Sequence, residues 1–310
     1  MASTNLTPLL TKGFRENIDV AQNMYKPTYK ELFHELPSNS RYEMEQLWGG
    51  YTLPQPRLDG EAVAQSSFFP SFSKMYIMAN YGLADVLPIE LIDDDQYGLI
   101  TKWVPSRAGM LARAFNTNKE ILAANWFASQ FNNSTSVPDS LDGTGLFSTS
   151  HPTAPGSPVL QSNVTSMDLS IAAMDLARYS MMLQVSPNNL DIVENKIAKL
   201  VINPKLGKIA KQIQKGDWEV NTANRNLNVL KNMFELVEWA YWTASGAASA
   251  TAYDSWMVLG ETNYLRWFTR QALQFNHQEL MSVNSMYFVG HERFAFGHSG
   301  FYGTFAGTGS

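Results

Sequence analysis

Residues Pro105 to Phe131 read P-S-R-A-G-M-L-A-R-A-F-N-T-N-K-E-I-L-A-A-N-W-F-A-S-Q-F. Pro105 or Ser106 suits the first turn of a helix, where a missing N–H costs nothing. Met110, Ala114, Ile121, Ala124, Ala128 and Phe131 then recur at helical spacing as one apolar stripe, interrupted only by Thr117. Leu111, Phe115, Leu122 and Trp126 make a second stripe beside it, so a broad face of this segment needs cover. An unbroken helix here would span about 40 Å, which is long for one globular domain. Asn116-Thr117-Asn118 is its weak point, because that run would cap a second helix as readily as it would continue the first. Periodicity alone asks for no more than a buried core helix.

Composition limits what such a helix can belong to. A chain of 310 residues with 45% hydrophobic residues can bury a real core, spread over two subdomains. Charged residues make up only 16%, well below the usual quarter, and polarity falls to Asn, Gln, Ser and Thr. A surface so poor in charge suits a chain that hides much of itself against other chains. The net charge of −5 argues against nucleic-acid binding as the main task. Without cysteine there is no disulfide framework, thiolate nucleophile or zinc–thiolate site. The start M-A-S-T-N-L-T-P shows no basic region followed by an apolar core, and no apolar run approaches the roughly 20 residues of a membrane span. These features lead to the expectation of a soluble chain made in a cytoplasm.

Upstream of the long helix, residues 1–50 show no alternating strand pattern and one helix, Thr28 to Leu36, ended by Pro37-Ser38. The aromatics Phe14, Tyr25, Tyr29, Phe33, Tyr42 and Trp48 argue that this arm packs on something rather than floating free. Residues 51–90 read as two long strands folding back near Phe69-Pro70. Such a two-stranded ribbon is marginal alone and would expose apolar side chains. It is either a loop lying on a neighbouring subunit or a strand pair of the home core. Asp93-Asp94-Asp95 is the densest acidic cluster, but it lacks the alternating ligands and closing Glu of a calcium loop, so it reads as the start of a helical turn.

Downstream, residues 132–166 are polar and turn-rich. Asp142, Ser148, Ser150 and His151 together suggest a hydrolase, yet no strained strand–turn–helix elbow surrounds either serine. Turns at Asp142-Gly143 and His151-Pro152 on either side of a short Leu146-Phe147 strand account for the same residues. Ser166 to Leu183 is helical, capped by Ser166 or Asp168, with Leu169, Ala172, Ala173, Leu176 and Tyr179 or Ser180 inward. Ile197 to Ile202 is a buried strand, Pro204 starts a helix over Lys205 to Gln214, and Gly216 ends it. Two strands follow between Leu227 and Tyr241, then a loop tip at 245–252 and a strand over Asp254-Ser255-Trp256-Met257-Val258-Leu259-Gly260. The tail, Met286 to Phe305, carries long strands with repeated glycines. His291 and His298 have no third metal ligand placed near them by sequence. The sum is an α+β chain with a central sheet and no legible chemistry.

The order of several short segments does resemble one family. Ile89-Glu90 leads into Ile92-Asp93-Asp94-Asp95-Gln96-Tyr97-Gly98, then come the long helix, Asp142-Gly143, Leu146-Phe147-Ser148, His151-Pro152 and Asn163. Leu200-Val201-Ile202, Pro204-Lys205-Leu206 and Asn221-Thr222-Ala223-Asn224 follow. Over roughly residues 85 to 305 this succession resembles the major head subunit of Mu-like phages, whose acidic I-x-D-D-x-x-G segment is similarly followed by D-G-x-x-L-F-S-x-x-H-P.

The resemblance implies the Hong Kong 97-type capsid fold of tailed-phage and herpesvirus shells. It implies an N-terminal arm (1–50), an extended β-ribbon loop (51–90) and a peripheral domain (91–164) with a spine helix at 105–131. An axial domain (165–270) and a return to the peripheral domain (271–310) would complete the chain. The implied function is that of a major capsid protein, assembling as hexamers and pentamers into an icosahedral shell that contains double-stranded DNA without reading its sequence. The implied partners are other copies, a portal protein, a scaffold and decoration proteins, with the product a virion assembled in the host cytoplasm. A leader removed by a protease would not fit before so short an arm, which leaves a separate scaffold or an already mature sequence. No membrane, cofactor, metal or catalytic residue is implied. Two other readings stay open: the shell of a cellular nanocompartment on the same fold, and a hydrolase using Ser150 or Ser299 with His151 or His298.

Overall fold

A computed structural model describes residues 25–66, 68, 70–88, 90, 99–131, 141–188, 190–219, 226–243, 254–280 and 285–309. In chain order its elements begin with α1 (Tyr29–Leu32), β1 (His34–Pro37), β2 (Tyr42–Trp48), β3 (Pro70–Ile77), β4 (Ala79–Pro88) and α2 (Leu99–Gln130). Next come β5 (His151–Pro152), β6 (Leu160–Gln161), β7 (Val164–Thr165), α3 (Ile171–Met182), β8 (Ile197–Ile202) and α4 (Gly207–Lys215). The last are β9 (Glu235–Glu238), β10 (Trp256–Gly260), β11 (Leu265–Leu280), β12 (Ser285–His298) and β13 (Thr304–Gly307). They divide into two compact units. One comprises Met1–Glu43, Ile77–Leu122 and Trp267–Phe296; the other comprises Met44–Tyr76, Ala123–Arg266 and Gly297–Ser310.

The long helix is continuous. α2 runs for 32 residues, about 48 Å, straight through Asn116-Thr117-Asn118, where Asn116 is buried instead of capping a new helix. It also starts earlier than expected, so that Pro105 lies within its first two turns. The expected first stripe does not form the core face, since Met110 is 67% exposed. The second stripe does: Leu111 and Phe115, with Ala108 and Ala112, pack on Leu87, Met286 and Phe288.

In the first unit these residues cover a four-stranded sheet ordered β1-β11-β12-β4. β12 and β4 are antiparallel over ten residue pairs, from Ser285↔Pro88 to Phe294↔Ala79. Gly290 on β12 is required by the packing. A Cβ there would stand 2.6 Å from the Phe115 ring and 2.7 Å from that of Phe275. The expected helix from Thr28 to Leu36 shrinks to one turn. Phe33 is already extended, and the chain then joins the sheet as β1, where pairing with β11 satisfies the backbone that a helix would otherwise satisfy. That turn is capped from a distance: the buried Glu120 carboxylate of α2 accepts the N–H groups of Thr28 (2.5 Å) and Tyr29 (3.4 Å).

The second unit is built on a five-stranded sheet ordered β7-β13-β10-β8-β9. β10 is fully buried and antiparallel to both β13 and β8, while β8 and β9 are parallel. β8 occupies the expected Ile197–Ile202. Asn203 caps the turn that Pro204 opens, α4 follows, and Gly216 closes it. α3 is capped by Ser170, whose side chain accepts from Ala173 N, not by Ser166 or Asp168. Starting there, α3 turns Ala173, Met174, Ala177 and Met181 inward and leaves Leu176 and Tyr179 outside, against the expected face.

Three other expectations fail. Leu146-Phe147 is not a strand. The Leu146 and Phe147 N–H groups bond Gln130 at the end of α2, and Ser148 N bonds the Asn163 side chain. His151-Pro152, expected as a turn, pairs with Leu160-Gln161. Of the two strands expected between Leu227 and Tyr241 only β9 forms, followed by a 3-10 turn at Ala240–Thr243. The expected fold-back at Phe69-Pro70 lies partly outside the described residues; of the described strands, β3 pairs with β2 and β4 with β12. Residues 42–48, expected to lack a strand, supply β2. The acidic run at 93–95, the turn at 221–224 and the loop tip at 245–252 lie outside the described residues.

Candidate functional site

The hydrolase reading rests on whether a serine meets a histidine. Asp142 and His151 do come together, with Oδ2 2.7 Å from Nδ1 and both side chains almost completely buried. Thr144 donates its N–H and hydroxyl to the other carboxylate oxygen at 3.0 and 2.8 Å. Burial alone would raise the Asp142 carboxyl, but the hydrogen bond and charge of His151, with the Thr144 bonds, hold it below the usual carboxylate range. The far ring nitrogen, Nε2, faces Leu146 O and Asn163 Oδ1, each at 3.1 Å. Phe301 stacks flat on the imidazole, with centroids 4.2 Å apart and planes 8° apart.

Both ring nitrogens are engaged by neighbouring oxygens, Nδ1 by Asp142 and Nε2 by Leu146 O and Asn163 Oδ1, so neither is turned toward a serine hydroxyl. Ser148 Oγ accepts from Ser150 N and lies 3.4 Å from Ser150 Oγ, and neither serine bonds His151. What the cluster does is tie chain segments together. Asn163 is the hub: its amide donates to Leu146 O and Thr304 Oγ1 while its oxygen accepts from Ser148 N and faces His151. The loop at 142–151, the start of β7 and the tail are thereby fixed to one another. Sequence reasoning placed Asn163 within the motif order but gave it no role.

The second pair is also separated. Ser299 Oγ bonds Tyr76 Oη at 2.5 Å and Glu45 Oε2, and Glu45 is held by Arg266 Nε at 3.1 and 3.2 Å. His298 is buried with its Nδ1 unpartnered among the described residues, and its ring lies 5.7 Å from that of Trp126. Burial, helped by the nearby Lys74 charge, lowers its pKa to about 3, so it is neutral at ordinary pH. His291 Nε2 meets the Gln271 side chain at 2.9 Å. Among the described residues no three His, Asp or Glu side chains gather to hold a metal ion, and no helix is long and apolar enough to cross a membrane.

The unusual surface lies on β2 and β3. Its inward side carries Glu45, Leu47, Lys74 and Tyr76, and its outward side carries Met44, Gln46, Trp48, Ser73 and Met75. Polarity is therefore inverted. Met44 is 64% exposed and Trp48 and Met75 are each 52% exposed, while the charged Lys74 is buried. Trp48 stacks on Phe68 at 4.9 Å, and Tyr51 lies 5.0 Å from the same ring, extending the apolar surface beyond the strands. The signal was present in Tyr42-Glu43-Met44-Glu45, whose period of two places charge and apolar bulk on opposite faces.

No protein-family model matches the chain, and no curated protein sequence matches it. Solved structures do. The capsid structure of the cyanophage P-SCSP1u is similar over 92% of this chain and 88% of its own, with a TM-score of 0.59 at 11% identity. The mature capsid of bacteriophage PhiM1 is similar over 92% and 88%, with a TM-score of 0.58 at 13% identity. The capsid of a native GTA particle is similar over 91% and 90%, with a TM-score of 0.55 at 11% identity. The mixed α+β architecture described above is thus the fold of phage capsid proteins, shared along nearly the whole chain.

Proposed function

We propose that this chain is the major capsid protein of a tailed phage, working by self-assembly rather than turnover. The observation that carries the reading is the chain-long likeness to capsid proteins, with one continuous helix and two α+β units in place of a catalytic site. The outward apolar face of β2 and β3 supports it, because a soluble monomer gains nothing from Met44, Trp48 and Met75 in water.

On this reading the layout is the Hong Kong 97-type one, with α2 as the spine helix of the peripheral domain, and the motif order relates the chain to Mu-like head subunits. Residues 1–50 act as the arm, residues around 51–90 reach over a neighbour, and 165–270 meet their copies around the symmetry axes. Hexamers and pentamers close into a shell that contains double-stranded DNA, with a portal protein, a scaffold and decoration proteins as further partners. Many modest contacts suffice, since each closed ring multiplies them. The test is electron microscopy of the chain expressed alone and with its neighbouring genes. Regular closed shells are expected; monomers under every assembly condition overturn the proposal.

A further inference from the structure

Residues 196–215 read K-I-A-K-L-V-I-N-P-K-L-G-K-I-A-K-Q-I-Q-K, six lysines without one Asp or Glu, in a chain whose net charge is −5. α4 sorts them. Gly207, Ala210 and Ile213 face the core, and Lys208, Lys211, Gln212 and Lys215 face out, with Lys205 just before the helix on the exposed side. Three of the six lysines already have a carboxylate partner: Lys199 with Glu235 at 3.9 Å, Lys205 with Asp254 at 2.8 Å and Lys211 with Glu238 at 2.6 Å. Lys208 and Lys215 have no carboxylate partner among the described residues. They are seven residues apart, two helical turns, so they share one side of α4 about 10 Å apart along its axis.

We propose that this side of α4 contacts the phosphodiester backbone of nucleic acid, through Lys208 and Lys215, as a weak inner grip on the contents of the shell. The proposal rests on the shell reading, which supplies a polyanion at high local concentration. Lysine ammoniums are point charges on flexible stems, so they accept phosphates in any register and read no sequence. The number of free charges sets the strength. Two phosphates per copy give a log–log salt slope of about −2, so affinity falls only about tenfold between 50 and 200 mM salt. Such a contact orders DNA without holding it against ejection, and it coexists with an acidic chain because Asp254 and Glu238 leave just two of the four lysines between 205 and 215 unspent.

The experiment captures the full-length chain at high density on a sensor surface. A 30-base-pair duplex and a 30-residue polyglutamate are passed over it from 50 to 200 mM NaCl. The duplex is expected to bind with that slope, K208Q/K215Q to lose at least tenfold, and K205Q/K211Q, whose lysines are already paired, to change less than threefold. The proposal is overturned by absence of duplex binding at 50 mM, by equal losses in both double variants, or by polyglutamate binding as tightly as DNA, which would give this face to an acidic protein. Shell formation is scored separately by microscopy. Shells that form from a chain blind to DNA remove this inference alone, whereas DNA binding by a chain that never forms shells removes the shell.

Discussion

Asp142 and His151 lie 2.7 Å apart in a site where each side chain is at most 3% exposed, and no serine hydroxyl reaches the ring. A buried polar pair is weak evidence of net stability, but removing one member strands the other away from water. Asp142→Asn should therefore cost about 3–5 kcal/mol in urea unfolding, while Ser150→Ala changes stability by less than about 0.5 kcal/mol. The sign with pH follows from the lowered carboxyl. Its contribution is complete above the unfolded value of 3.8 and is lost as pH falls through the lower folded value, so the variant should lose less stability below about pH 4 than the parent. Equal acid limbs for parent and variant would refute this account.

His298 loses stability in the same direction, as pH falls, but over a higher pH range. The unfolded chain takes up a proton near 6.5, whereas the folded chain resists until about 3. Stability is thus complete above about 6.5 and falls by at most about 1.4 kcal/mol per pH unit down to about 3. His298→Gln should flatten that slope between pH 6.5 and 4.5, read as unfolding free energy against pH. A slope unchanged by the substitution would show that another group carries it.

These two sites show where sequence was legible and where it was not. Ile197–Ile202, the Pro204 start and the Gly216 stop were readable because each rests on local propensity and short-range hydrogen bonds. The long helix was readable as an element but not in its buried face, since Met110 and Leu111 are both apolar and only the sheet beneath decides between them. Leu146-Phe147 misled because its N–H groups go to Gln130 and the neighbouring Ser148 N–H goes to Asn163, both distant in sequence. The Asp142–His151 pair was visible as residue types; its closed, nucleophile-free geometry depends on Asn163 and Phe301, which no local pattern brings together.

Gly290 tests the packing of α2 on its sheet. A methyl group there would overlap both Phe115 and Phe275, so Gly290→Ala should cost about 1–3 kcal/mol. Phe275 is only partly buried, and trimming it to Leu in the Gly290→Ala background should restore part of the loss. Additive losses in the double variant would mean that the alanine is accommodated elsewhere.

The inverted strand pair separates folding from assembly. Met44 and Met75 project outward, so a charge at either site meets water in the free chain and should change its unfolding free energy by less than about 0.5 kcal/mol. On the proposed reading the same face is covered in a shell, where an unpaired charge would cost several kcal/mol per copy. Because every copy carries the change, the penalty repeats across the particle and no rearrangement escapes it. Met44→Glu and Met75→Glu should therefore yield soluble, folded subunits that form few or no closed shells, with Met44→Leu assembling normally. Gel filtration, circular dichroism and negative-stain counts on the same preparations check this. Normal shell yield from both charged variants would show that the face stays in water, and would leave its inverted polarity without a role in assembly.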